Sequence, residues 1–92
     1  MTPRPVVDAE RDLVRHIGRQ LRSAREARGL SLKQAAQASE GRFGAPTLGT
    51  YERAERQAPS GTLASLAALY GVRVVDLLPA ETVDAKPEED GS

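Results

Sequence analysis

The side chains able to do chemistry in this chain are mostly arginine. Of its thirteen Lys+Arg residues only Lys33 and Lys86 are lysine, and thirteen Asp+Glu balance them formally. His16 is the single histidine; it falls mid-helix among arginines, where an exposed position suits it better than general-base duty. There is no cysteine, which excludes a disulfide, a thiolate metal site and a thiol nucleophile. The carboxylates form no cluster that suggests a metal. No catalytic, metal or cofactor site is therefore expected, and arginine richness itself carries little weight, because a GC-rich genome alone would bias a chain that way. Residues 41–56, GRFGAPTLGTYERAER, set Arg42 and Arg53 among Gly41, Gly44 and Gly49, with Pro46 just ahead of a helix-like run. The first part looks superficially like a phosphate-cradling loop. It lacks the Gly-Lys-Ser/Thr ending, follows no strand and opens no βαβ unit.

The zero net charge hides an uneven distribution. Residues 1–78 carry twelve basic and eight acidic side chains, a net +4, whereas residues 79–92 carry one and five, a net −4. A basic domain with an acidic tail results. Ninety-two residues make one small domain, which buries only about 60–65% of its unfolded surface. With 39% hydrophobic residues and no long apolar run, nothing here spans a membrane. The opening MTPRPVVDAERD lacks the apolar core of a leader peptide, so the expected compartment is the cytoplasm.

These side chains must be positioned by helices. Residues 1–8 read as a flexible N-terminus, 9–79 as the folded domain and 80–92, polar and Pro-interrupted, as a disordered acidic tail. A first helix from Asp8 to Arg28 starts with acidic Asp8, Glu10 and Asp12 and stops at Gly29. Leu13, Ile17, Leu21 and Ala24 line one face of it, while Arg11, Arg15, Arg19 and Arg22 line another. That second stripe is either a solvated surface or a phosphate-contacting face. SLKQ is a capping box, in which Ser31 and Gln34 satisfy each other's backbone N–H groups, so a second helix runs from Leu32 to about Ser39. After a turn over 40–45, Pro46 suits the first position of a third helix that ends near Arg53 or Ala54. A fourth runs from an N-cap at Ser60 to Gly71 with an apolar stripe of Leu63, Leu66, Ala67 and Tyr70. A short fifth, Val74 to Leu78, ends before Pro79; VRVVDLL has strand propensity, but nothing offers it a pairing partner.

Three segments in this order, IGRQLRSAREARGLSLKQAA, LGTYERAERQAPS and LASLAALYGVRVVDLL, resemble the Cro/CI-type (xenobiotic-response-element) helix-turn-helix family over residues 14–79. Within it, SEGRFGAPTLGTYERAER and YGVRVVDLLP follow the pattern of BldD-like regulators. The resemblance implies an all-α, compact five-helix domain of the lambda-repressor-like type. It further implies a double-stranded DNA-binding transcriptional regulator, a repressor by expectation, that binds an inverted-repeat operator as a homodimer with helix 3 in the major groove. It also implies a pairing of Arg25 with Glu52, which fits a carboxylate on the inward side of helix 3 that needs a partner.

Helical geometry divides helix 3 in the same sense. Leu48, Tyr51, Glu52 and Glu55 cluster on one side, and Pro46, Gly49, Thr50 and Arg53 project from the other, with Thr47 at the margin. The turn before it is longer than the common family spacing; Gly41 and Gly44 are expected at positive φ, placing Arg42 against a phosphate or base edge and Phe43 inward or across the sugar backbone. The candidate DNA-contacting set is thus Ser31, Lys33, Arg42, Gly44, Ala45, Pro46, Thr47, Gly49, Thr50 and Arg53. The plainer alternative makes the glycines a tight turn and a packing contact, with Arg42 and Arg53 merely solvated. Where the family often has Gly after the Glu-Arg pair this chain has Ala54, so helix 3 either runs on by a turn or ends with different geometry. A competing function is a protein-interaction module of the same fold, an antitoxin or a regulator's partner, that presents Val72, Val75 and Leu78 as an exposed apolar face.

Overall fold

The computed structural model describes residues 6–80, and the expectations for residues 1–5 and 81–92 lie outside them. The described chain forms α1 (Val6–Ala27), α2 (Leu32–Ala38), α3 (Ala45–Glu52), α4 (Ser60–Tyr70) and a single 3₁₀ turn, Val74–Leu77. The all-helical class stands; the fifth helix does not. Pro79 drives the preceding Leu78 into an extended conformation (φ −98°, ψ 156°), which stops the segment after one turn. That turn is closed by Asp76, whose carboxylate accepts the N–H of Arg73 at 2.9 Å.

Several boundaries move for identifiable reasons. Helix α1 begins at Val6, inside the segment read as flexible. The N-cap of α4 is Pro59 rather than Ser60: its extended backbone points its carbonyl to the N–H of Leu63 at 2.9 Å, and no side chain caps the helix. In α3 the N-cap is Gly44 and Pro46 is the second helical residue. The capping box of α2 forms as read, with Ser31 Oγ accepting from Gln34 N at 3.0 Å and Gln34 Oε1 accepting from Ser31 N at 2.8 Å.

The first, third and fourth helices end on one device. In each, an N–H near the helix end reaches back five positions: Leu30 to Arg25, Glu55 to Thr50 and Val72 to Ala67 carbonyls at 3.2, 2.9 and 2.9 Å. The residue just before that N–H must be left-handed. Gly29 and Gly71 meet that demand (φ 72° each), and Ala54 meets it at φ 61° despite its methyl group. Helix α3 therefore does not run on. The α2–α3 turn uses the left-handed region at Glu40 (φ 58°) and Gly41 (φ 82°), whereas Gly44 is extended at φ −82°, contrary to the expected positive φ. A side chain at position 44 meets nothing closer than Pro46 Cδ at 3.7 Å.

The core joins Ile17, Leu21 and Ala24 of α1 to Ala35 of α2, Leu48 and Tyr51 of α3, and Leu66, Ala67 and Tyr70 of α4, with Leu77 of the 3₁₀ turn closing one end. Phe43 is half-buried against it rather than fully inserted. Its turn is pinned by buried Ser39, whose hydroxyl donates to Ala36 O at 2.7 Å and accepts from Phe43 N at 3.2 Å.

Two helical glycines mark different constraints. At Gly18 a Cβ would stand 2.5 Å from the Glu52 carbonyl oxygen and 2.8 Å from that of Tyr51, so α1 rests directly on the backbone at the end of α3. At Gly49 a Cβ would meet only the Arg53 guanidinium, Nη1 at 2.8 Å, which is the free end of a flexible side chain. Gly18→Ala is expected to destabilise by about 1–3 kcal/mol through overpacking. Gly49→Ala is expected to displace Arg53 and gain up to about 1 kcal/mol of helix propensity. Urea melts of the two variants, which should shift in opposite directions, check both.

Candidate nucleic-acid interface

The firmest contact behind the outer face of α3 is an ion pair. Arg25 Nε donates to Glu52 Oε2 at 2.7 Å and Nη2 to Oε1 at 2.9 Å, while Nη1 donates to the Leu30 carbonyl at 2.8 Å. The side chains are only 10% and 8% exposed. The hydrogen bond to Glu52 raises the Arg25 pKa still further, so the guanidinium stays charged. One side chain of α1 thereby fixes the end of α3 and the chain entering α2, which sets the angle between the two helices. Burial likewise raises the pKa of the adjacent Tyr70 hydroxyl.

The outward residues of α3 are exposed at Pro46 and half-buried at Ala45, Thr47 and Thr50. Thr50 Oγ1 already donates to the Thr47 carbonyl at 2.6 Å, which leaves its hydroxyl only acceptor lone pairs for a ligand. Gly49 is on the same side as Arg53 and is buried because the Arg53 guanidinium lies over it. Arg53 shares a groove with Arg22, Arg25, Glu52 and Leu32, so α1, α2 and α3 meet where the second helix starts. Ser31 and Lys33 at that start are both exposed, although the Ser31 hydroxyl is engaged by its cap.

Arg42 stands apart from this group. It stacks over the Phe43 ring with its guanidinium carbon 5.6 Å from the centroid, and both line a groove with Ser39, Ser65, Ala68 and Leu69. The site residues read from sequence therefore fall into two clusters: Arg53 and Gly49 in the α1–α2–α3 groove, and Arg42 at the turn bordering α4. The basic stripe of α1 is partly committed: Arg15 lies 3.6 Å from Asp12 and Arg22 Nε is 3.0 Å from Glu26, whereas Arg11, Arg19, Lys33 and Arg42 have no carboxylate partner among the described residues. Arg22 is outside the DNA-contacting set read for the helix-turn-helix, but its place on the basic stripe of α1 signals it. Gly18 is signalled only as a glycine inside a helix.

The apolar face imagined for a protein partner is smaller than expected. Val72 and Leu78 pack against the core, leaving Val74 and Val75 exposed at 37% and 36%. Among the described residues no helix is long and apolar enough to cross a membrane.

Comparison with known proteins decides the family. A family model described as a helix-turn-helix domain matches residues 16–80. The chain belongs to that helix-turn-helix family. Among solved structures it is similar to the DNA-binding domain of BldD from S. venezulae, at 41% identity and a TM-score of 0.70 over 74% of this chain and 99% of that one. A second structure of the BldD DNA-binding domain gives 41% identity and 0.71 over 74% and 96%. The clp gene regulator ClgR from Corynebacterium glutamicum is 31% identical, with a TM-score of 0.65 over 90% of this chain and 79% of that one. No curated protein matches in sequence. The helix-turn-helix itself is α2, the Ser39–Gly44 turn and α3.

Because Arg25 and Glu52 are both enclosed, losing one strands the other. Glu52→Ala is expected to cost about 3–5 kcal/mol, and the Arg25→Met, Glu52→Ala double variant less than the sum of the single losses. Urea denaturation of the four proteins measures the coupling, and additive losses would show that the pair carries none.

Proposed function

We propose that this chain is a sequence-specific double-stranded DNA-binding transcription regulator, acting as a repressor, that binds an inverted repeat as a homodimer. The observation that carries this reading is the surface of the α2–α3 unit. A short-chained helix face at Pro46, Thr47 and Thr50 lies beside the basic groove of Arg22 and Arg53 and the exposed Lys33 at the start of α2. Close approach of backbone to a groove needs such a face, and phosphates on either side need such cations. The likeness to the BldD DNA-binding domain over almost its entire length supports the same reading.

In this arrangement α3 lies in the major groove and Ser31 and Lys33 meet the backbone across it. Ala45, Gly44 and Pro46 form the part of the surface with least side chain, which lets the N-terminal end of α3 come near the bases. Thr47 and Thr50 supply methyl groups and two hydroxyls, that of Thr50 only as an acceptor, a thin set for base readout. Arg42, stacked on Phe43 at the edge of the turn, is assigned to phosphate rather than to a base. A protein-docking module finds less support, since Val74 and Val75 are the only large apolar side chains exposed in the segment it would use.

Fluorescence anisotropy on duplexes selected from genomic DNA tests the reading. The selected sites should contain two half-sites about one helical turn, roughly 34–36 Å, apart. With about four phosphates neutralised per half-site, log K should fall against log salt by about 0.9 per phosphate. Arg42→Ala should weaken every sequence alike and reduce that slope by about one, whereas Thr50→Ala should alter sequence preference. Binding that does not change between dilute and physiological salt overturns the proposal.

A further inference from the structure

Arg53 is held where it is by a carboxylate two residues away. Its Nε donates to Glu55 Oε2 at 3.0 Å and its Nη2 to Oε1 at 3.2 Å, two parallel bonds from the edge of the guanidinium. This geometry exists because Ala54 is left-handed: the reversal at φ 61°, locked by the Glu55 N–H on the Thr50 carbonyl at 2.9 Å, brings Glu55 back beside the residue that precedes the turn. Such a conformation is unfavourable for alanine, yet it is kept. Gly49 contributes the third part, because any side chain there would occupy the space of Nη1. Each partner answers the other electrostatically: the hydrogen bond to Arg53 lowers the Glu55 pKa, and the bond to Glu55 raises that of Arg53.

A carboxylate gripped by the fork of an arginine presents two oxygens in nearly the arrangement of a phosphate. Both side chains are more than half exposed, at 57% and 55%, so the contact is open to exchange. Resting on the DNA-binding reading above, we propose that Glu55 is an internal stand-in for a DNA phosphate. It holds the Arg53 guanidinium over Gly49 in the free domain and is exchanged for a backbone phosphate when α3 enters the groove. Glu55 is thus a positioning residue: it orients Arg53 beforehand and sets the threshold that a phosphate must exceed to take it. Arg22, which lines the same groove, gives that phosphate a further positive neighbour.

The experiment is a double-mutant cycle on Glu55→Gln and Arg53→Ala, with affinities for a selected operator duplex and for a random-sequence duplex. Because both side chains are exposed, all four proteins should keep the wild-type thermal melt. Glu55→Gln should tighten binding of both duplexes by about two- to fivefold, the range spanned by the strength of an exposed ion pair. In the Arg53→Ala background the same substitution should change nothing. In parallel, ¹⁵N NMR of the free domain should show a distinct Arg53 Nε–H signal that moves when the duplex is added and is lost from its position in Glu55→Gln. An equal gain with and without Arg53 would mean that Glu55 only repels DNA through its charge, and would overturn the proposal, as would no gain at all. Failure of the wild type to bind any duplex would instead overturn the DNA-binding reading on which it rests, and all four proteins would then fail alike.

Discussion

Everything that faces outward in this domain depends on the enclosed pair of Arg25 and Glu52. A carboxylate on the inner side of a two-turn helix is costly to bury unless its oxygens are satisfied, and the Arg25 fork satisfies both while its third nitrogen binds the Leu30 carbonyl. Three elements are joined by one side chain: the long first helix, the connection to α2, and the end of α3. Nearby, the missing side chain of Gly18 allows α1 to lie on the last carbonyls of α3. Polar and steric constraints therefore act on the same end of α3, and the apolar contacts of Leu21, Leu48 and Leu66 fill the space those constraints define. An apolar core alone would tolerate several orientations of so short a helix; a bidentate ion pair tolerates few.

The left-handed Ala54 shows how local backbone geometry serves the surface. The same helix-ending motif is built with glycine at positions 29 and 71, where no steric conflict arises. At position 54 the chain uses alanine and accepts the strain, and the motif's long hydrogen bond to Thr50 holds the turn. The consequence is that α3 stops at Glu52 and that the two charged residues on either side of the turn, Arg53 and Glu55, face each other.

Much of this was legible in the sequence where the chemistry is local. Ser31 and Gln34 announce a capping box because the pattern needs only four residues, and Gly29 and Gly71 announce helix ends because left-handed backbone favours glycine. The apolar stripe of Leu13, Ile17, Leu21 and Ala24 follows from helical periodicity, and the inward carboxylate of Glu52 demanded a partner that Arg25 supplies. Tertiary consequences were harder to read. Glycine type alone does not distinguish the extended Gly44 from the left-handed Gly41, since either conformation is open to it. Periodicity puts Gly49 on the Arg53 side of α3, but a helical wheel omits the arginine side chain that returns over it and buries it. The fifth helix shortened because Pro79 restricts the residue before it, and Val72 and Leu78 were drawn inward by a core that a linear pattern does not show.

Those corrections change what kind of DNA reader this domain would be. An α3 face made of Pro46, Thr47 and Thr50, with the Thr50 proton already given to a backbone carbonyl, has no side chain able to form two bonds to a single base. Specificity from one half-site is then slight, and the shape and flexibility of the duplex must carry a larger share of it. Affinity in turn falls to the cations around the helix, and these are not equally available: among the described residues Lys33 and Arg42 have no carboxylate partner, while Arg22 and Arg53 are each held by a glutamate. A surface with weak base readout and unrestrained cations would cling to all DNA alike. Restraining part of the positive charge with neighbouring carboxylates would lower that background, and in the homodimer proposed above a second copy of the short helix would restore discrimination without lengthening it.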